Sequence, residues 1–286
     1  MRVRLQGTGR RATGPRRIGW RIGWPVVRPG ATWAVAFVGC LALVATVVLA
    51  PAASAGAPTA VHISGVPFAG ALFPHGTRST HTCSATVVRT AGRDVVLTAA
   101  HCLSGSGRGL VFVPGYRRGA EPAGEWTVTA AYADPRWVRS RDPQHDYAFL
   151  VVAPRRQGDR VLRLEDVVTG VPVGVAPASG TSVRIVAYPE GRKDLPISCT
   201  HPTYRHAGYP AFDCHGYVGG TSGAGWLTGA PGHEVVRGVV GGLHHGGCTE
   251  FTSYSPRFDG DTLLALGRAG RGATADVLPR AGGDGC

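Results

Sequence analysis

The first thirty residues contain no acidic side chain, yet they carry eight arginines: Arg2, Arg4, Arg10, Arg11, Arg16, Arg17, Arg21 and Arg28. This stretch supplies most of the formal net charge of +12; the remainder has 22 basic against 18 acidic side chains. Such a small surplus is an ordinary surface, so charge does not point to nucleic acid as a partner. The sequence also lacks an internal repeat of fixed period, a phosphate-cradling loop and a nucleotide fingerprint, and nothing in it calls for a cofactor. Helical patterning is nearly absent. Only "DGDTLLALGRAG", residues 259–270, has an acidic start, spaced leucines and glycine stops. A fold of alternating strands and helices is therefore excluded.

The arginine-rich start runs into "ATWAVAFVGCLALVATVVLA", residues 31–50, and then "PAASAGAP" with Ala53-Ser54-Ala55 as a small-residue cleavage site. Basic n-region (1–30), apolar h-region (31–50) and this exit predict a secretory signal peptide over 1–55 and a secreted product. The apolar run is also long enough to span a bilayer, so an uncleaved anchor is the alternative, and membrane contact is expected only then. Arg16-Arg17 lies in "PRRIGW", a poor setting for twin-arginine export. Cys40 leaves with the leader. Cys83, Cys102, Cys199, Cys214, Cys248 and Cys286 remain, an even number that suits disulfides in an exported chain. Local spacing favours Cys83–Cys102 and Cys199–Cys214; Cys248 and Cys286 are the two left over.

Beyond the leader, short apolar or alternating runs recur between turn residues: "TCSATVVRT", "RDVVLTA", "GLVFVPG", "EWTVTAAYA", "DYAFLVVA", "TSVRIVAYP" and "EVVRGVVGG". Branched residues with regular turn signals read as strands, giving an all-β class. A hairpin is predicted to turn at Thr90–Arg93. One domain over 56–268 is expected, closed by a helix at about 259–268 and followed by a loosely ordered tail, 269–286.

Three stretches carry candidate chemistry. "GYVGGTSGAGW", residues 216–226, places five glycines around Ser222. Glycine is kept where backbone must take positive φ or approach another atom closely, which suits a loop that offers a hydroxyl nucleophile and turns N–H groups toward developing charge. The bland alternative is a flexible loop. "VVLTAAHC", residues 95–102, ends a buried strand in a tight corner and puts His101 beside Cys102, where a disulfide would hold a general base rigid. "DPQHDYAFLVVA", residues 142–153, sets Asp146 at the start of a buried strand, where a carboxylate needs a hydrogen-bonding partner. Asp134 and Asp142 are its rivals, each beside a proline. The order His101, Asp146, Ser222, with separations of 45 and 76 residues, is one of the known orders of a serine triad. The α/β-hydrolase order fails, because Ala224 spoils the G-x-S-x-G elbow and no histidine follows the late acids.

Through "LTAAHC", "HDYAFLV" and "GGTSGAGW", the chain resembles the chymotrypsin-like (trypsin-fold) serine proteases over roughly residues 60–268, nearest to the secreted bacterial branch that includes the glutamyl endopeptidases. The resemblance implies two packed six-stranded antiparallel β-barrels, about 60–165 and 175–258, with a C-terminal helix. It implies a serine endopeptidase acting on polypeptide as a monomer, with Ser222 as nucleophile, His101 as base and Asp146 orienting it. Gly220 and Ser222 N–H groups would form the oxyanion hole. A protease-fold binding protein without activity is the alternative function.

Departures from the family pattern are informative. Thr221 stands where digestive members carry the aspartate that pairs with a newly cut N-terminus, so no such activation switch is expected. Gly216 occupies the place of the acid that selects Arg or Lys at P1, the residue before the cleaved bond. Val240, Gly241 and Gly242 are expected to present backbone to an extended substrate. Val240 aligns where the glutamyl-specific relatives place a histidine, although His244 and His245 lie close by. Those histidines with Cys248 make too incomplete a ligand set for a metal, and none is expected.

Overall fold

The computed structural model describes residues 56–286. The expected signal peptide and its cleavage site lie outside them. Among the described residues no helix is long and apolar enough to cross a membrane.

The chain enters through a two-residue strand, β1 (Val61–His62). Six strands then close on themselves: β2 (Ala69–Phe73), β3 (Cys83–Val88), β4 (Val95–Thr98), β5 (Val111–Pro114), β6 (Trp126–Ala133) and β7 (Ala148–Val152). The barrel order is β2-β3-β4-β7-β6-β5, antiparallel throughout. Arg93 N–H donates to Thr90 O in the β3–β4 turn, with Arg93 left-handed at φ 63. A short helix, α1 (Pro135–Ser140), precedes β7, and a small hairpin, β8 (Arg155–Gln157) and β9 (Arg160–Leu162), follows it.

The second half is a curled sheet of β10 (Ser182–Ala187), β11 (Ile197–His206), β12 (Tyr209–Asp213), β13 (Gly225–Thr228), β14 (Val235–Val239) and β15 (Thr252–Tyr254). Its order is β14-β13-β10-β11-β12-β15, with β1 added against β11. No ladder joins β14 to β15, so this half curls without closing. In place of a ladder, single bonds tie the two edges: Val239 N to Ser255 Oγ and Gly241 N to Tyr254 O. The helix α2 (Gly260–Gly270) is capped by Asp259, whose side chain accepts the Asp261 N–H.

The period of two explains why β4 reads as an uninterrupted apolar run. Val95 and Leu97 face a core shared between the halves, with Phe149, Val186, Tyr188 and Val239. Val96 faces the barrel interior, with Phe112, Trp126 and Leu150. A strand buried on both faces has no reason to alternate with polar residues. The second half keeps its own interior around Ile185, Phe212 and Trp226.

Cys83–Cys102 and Cys199–Cys214 are bonded, closing loops of 19 and 15 residues, each worth about 3 kcal/mol in the chain-entropy account. Cys248 is bonded to Cys286. The tail after α2 has no helix or strand, yet it is tied down. Leu278 is buried and pairs with Gly105, and Arg141 Nε donates to Arg280 O.

Candidate active site

The register of the barrel decides where two of the predicted side chains lie. Thr98, the last residue of β4, pairs with Ala148, the first of β7. His101 follows the one by three residues and Asp146 precedes the other by two, so both emerge at the same end of adjacent strands. Ala100–Cys102 form a single 3-10 turn, pinned by the bond from Cys102 to Cys83.

Asp146 is fully buried and accepts three hydrogen bonds. His101 N–H reaches Oδ1 at 2.8 Å, while His101 Nδ1 and Gly242 N reach Oδ2 at 2.7 and 2.8 Å. These three donors satisfy the hydrogen-bonding needs of a carboxylate that water does not reach. They also fix the His101 tautomer: Nδ1 carries the proton and Nε2 is left as the basic nitrogen. The rival acids do other work. Asp134 caps α1 and pairs with Arg136; Asp142 caps the turn before Asp146 and holds His145 Nδ1 at 2.9 Å.

Ser222 belongs to a turn pressed against this corner. Its carbonyl accepts from Ser84 N–H at 2.7 Å, which ties it to β3. A Cβ on Gly223 would lie 2.2 Å from both Ser84 O and Thr98 Oγ1, so only glycine permits the contact that brings Ser222 beside the end of β4. No hydrogen bond joins the Ser222 hydroxyl to His101 among the described residues, and such bonds commonly tighten only when substrate arrives.

The preceding residues are held from behind. Glu190 N–H donates to Gly219 O at 2.6 Å, and Ser84 Oγ–H donates to Gly220 O at 3.0 Å. Both carbonyls are thereby drawn away from the cleft. Gly220 has φ 90, and a Cβ there would meet Glu190 N at 2.2 Å. The N–H groups of Gly220 and Ser222 have no acceptor among the described residues. Thr221 closes the turn by itself, its Oγ1 donating to Val218 O at 2.7 Å.

A cavity of about 320 Å³ opens beside Ser222, walled by Val218, Val240, His245, Glu250 and Asp284 among others. Gly216 is not among the residues that line it; its N–H donates to Glu250 Oε2, on the cavity wall. His215 Nδ1 sits 2.7 Å from the other carboxylate oxygen. The hydrogen bond from His215, then that from Gly216, holds Glu250 below the usual carboxylate range. A larger groove between α1 and α2 lies elsewhere and touches none of these residues.

The segment expected to carry substrate differs in one respect. Val240, Gly241 and Gly242 all spend their N–H groups internally, on Ala224 O, Tyr254 O and Asp146. The Gly241 carbonyl and the Leu243 N–H remain without partners among the described residues, so an extended chain would pair there. Sequence reasoning also missed Ser84 and Glu250, and it named His245 only as a neighbour of Val240 and not as a ring on His101, since each reaches the site through a contact far away in the chain. His244 lies near Cys248, but that sulfur is bonded to Cys286.

The family model for the trypsin-like peptidase domain matches residues 83–236, just over half of the chain. The chain belongs to the trypsin-like peptidases. Among solved structures, the peptidase is similar to the protease Anisep from Arthrobacter nicotinovorans, with 27% identity and a TM-score of 0.62 over 73% of this chain and 98% of that one. A thermostable serine protease, AL20, from an extremophilic microorganism shares 24% identity with a TM-score of 0.61, covering 72% of this chain and 97% of that one. A Glu endopeptidase shares 16% identity with a TM-score of 0.59, covering 76% and 98%. At these identities the last two speak for the chymotrypsin fold alone. No curated protein matches the sequence.

Proposed function

We propose that this peptidase is a secreted serine endopeptidase acting through Ser222, His101 and Asp146. The observation that carries the reading is the buried Asp146 carboxylate bonded to both nitrogens that position the His101 ring, at the corner where the Ser222 turn docks. Ser222 Oγ attacks the peptide carbonyl while His101 Nε2 takes its proton. The oxygen becomes negative and is met by the N–H groups of Gly220 and Ser222. Collapse breaks the C–N bond, and His101 returns the proton to the leaving amine. Water then repeats the sequence on the acyl-enzyme, with His101 as base, and releases the carboxylate. Asp146 holds the ring through Nδ1–H and stabilises the imidazolium while His101 carries the second proton.

Export is supported by the arginine-rich and apolar start of the sequence and by three disulfides. The experiment is labelling of the purified protein with a fluorophosphonate, followed by peptide mass spectrometry. Label on Ser222 that disappears in His101→Ala supports the reading. An unlabelled, folded and disulfide-intact protein would favour a binding protein on a peptidase fold.

A further inference from the structure

His244 and His245 follow one another in the left-handed region, at φ 53, ψ 39 and φ 51, ψ 27. Side-chain-bearing residues enter this region at a cost and stay only where their surroundings hold them. The tail supplies the restraint. His244 Nδ1–H donates to Asp284 O at 2.9 Å, and the Cys248–Cys286 bond fastens the tail to the far side of the same turn. Gly247 N–H closes the turn on His244 O at 3.1 Å.

The product of this turn is the place of one ring. The His245 imidazole lies face to face with that of His101, centroids 4.7 Å apart and planes 13° from parallel. Trp137 meets it at an angle of 64° from 6.5 Å. With this cover, the His101 side chain is only 10% exposed.

We propose that His245 is a specificity-determining residue that fills the place of the substrate's P2 side chain, the second before the cleaved bond, and restricts the enzyme to small residues there. The inference rests on the endopeptidase reading. A chain paired along Gly241 and Leu243 sends successive side chains to opposite sides. If the P1 side chain enters the cavity beside Ser222, at whose wall His245 ends, the P2 side chain turns toward the face of the base that the same ring covers. That face is already occupied by an imidazole. Glycine or alanine needs no room beyond it, whereas leucine or phenylalanine would have to displace a ring held by two clamps. The groups facing His245 are His101, Asp146, Asp284 and His244; its burial, then the nearness of His101, keeps its pKa below the usual histidine value. The ring is therefore neutral at neutral pH, and the restriction is one of size rather than charge.

The test is a peptide library varied only at P2, digested by the full-length secreted protein and by its variants. Wild type should favour Gly and Ala over Leu and Phe by about tenfold or more, the discrimination a filled pocket gives. His245→Ala should relax that preference, His245→Phe should keep it, and Cys248→Ala/Cys286→Ala should relax it in part. Equal cleavage of bulky and small P2 peptides by wild type overturns the proposal while the cleavage itself upholds the endopeptidase reading. An unchanged P2 profile in His245→Ala overturns it as well. Failure to cleave any member, with no fluorophosphonate label, overturns the endopeptidase reading and this proposal with it.

Discussion

Ser84 Oγ–H donates to Gly220 O at 3.0 Å and accepts the Tyr188 N–H at 2.9 Å. One buried hydroxyl of the first barrel thus holds the carbonyl behind the expected oxyanion hole and the loop that leads to Glu190. Removing it in Ser84→Ala leaves the Tyr188 N–H buried without a partner, which costs about 1–3 kcal/mol. The Gly220 peptide also gains freedom to rotate. We expect kcat to fall by about tenfold, short of the ~10²–10³ seen when a donor is lost outright, with little change in KM. Steady-state kinetics beside thermal melts decide it: a lowered melting point with kcat intact would make Ser84 purely structural.

Asp146→Asn presents an amide where three N–H donors converge. One of them must face another donor, and the tautomer of His101 is no longer dictated. A loss of about 10⁴ in kcat is expected, the size found for this change in a comparable triad. Retention of more than a tenth of wild-type kcat would remove Asp146 from the mechanism.

Thr221 anchors its own turn through Val218 and asks nothing of a freed amine. Versions of the mature chain carrying two or three extra residues before Gly56 should therefore match the trimmed form in kcat/KM. Activity that rises only on trimming would show that a processed N-terminus is required after all.

Because burial and His101 lower the pKa of His245, the folded state resists a proton that the unfolded chain accepts near pH 6.5. Stability contributed at neutral pH is consequently lost as pH falls from about 6.5 toward the lowered folded value. His245→Phe lacks this penalty. Urea midpoints of the two proteins should diverge on acidification, wild type falling faster; parallel curves would refute the linkage.

Glu250 brings an ionised carboxylate to the wall of the cavity beside Ser222, although Gly216 supplies none. It is half exposed, so its effect on a substrate cation is screened. Glu250→Gln should lower cleavage after Arg and Lys a few-fold relative to neutral residues. A P1 library with an unchanged ratio would show that the carboxylate plays no part in selection.

Much of this was legible in the chain because it was local. "VVLTAAHC" shows a doubly buried strand followed by a corner, "DYAFLVV" shows another, and the glycines around Ser222 mark close backbone approach. The hairpin at Thr90–Arg93 and the helix at α2 are written in turn and cap residues. Contacts between distant segments were not legible. Ser84 sits in an alternating strand whose inward hydroxyl looks like any other until it meets Gly220, 136 residues on. The tandem histidines read as an incomplete ligand set, since nothing in their neighbours announces a left-handed turn clamped from residue 284. The open edge of the second sheet was equally hidden, because β14 and β15 have ordinary strand composition and their ladder is replaced by single bonds.

On the proposed reading, Gly223 has a consequence for when the peptidase can become dangerous to the cell that makes it. The Ser222 turn has its shape only against Ser84 and Thr98, residues of the other half of the molecule. A chain with only one half folded, or one whose halves have not yet met, holds neither the base nor the aligned amides beside its serine. On the proposed reading, reactivity is postponed until folding is complete, and the joint between the halves acts as its own safety catch during synthesis and export.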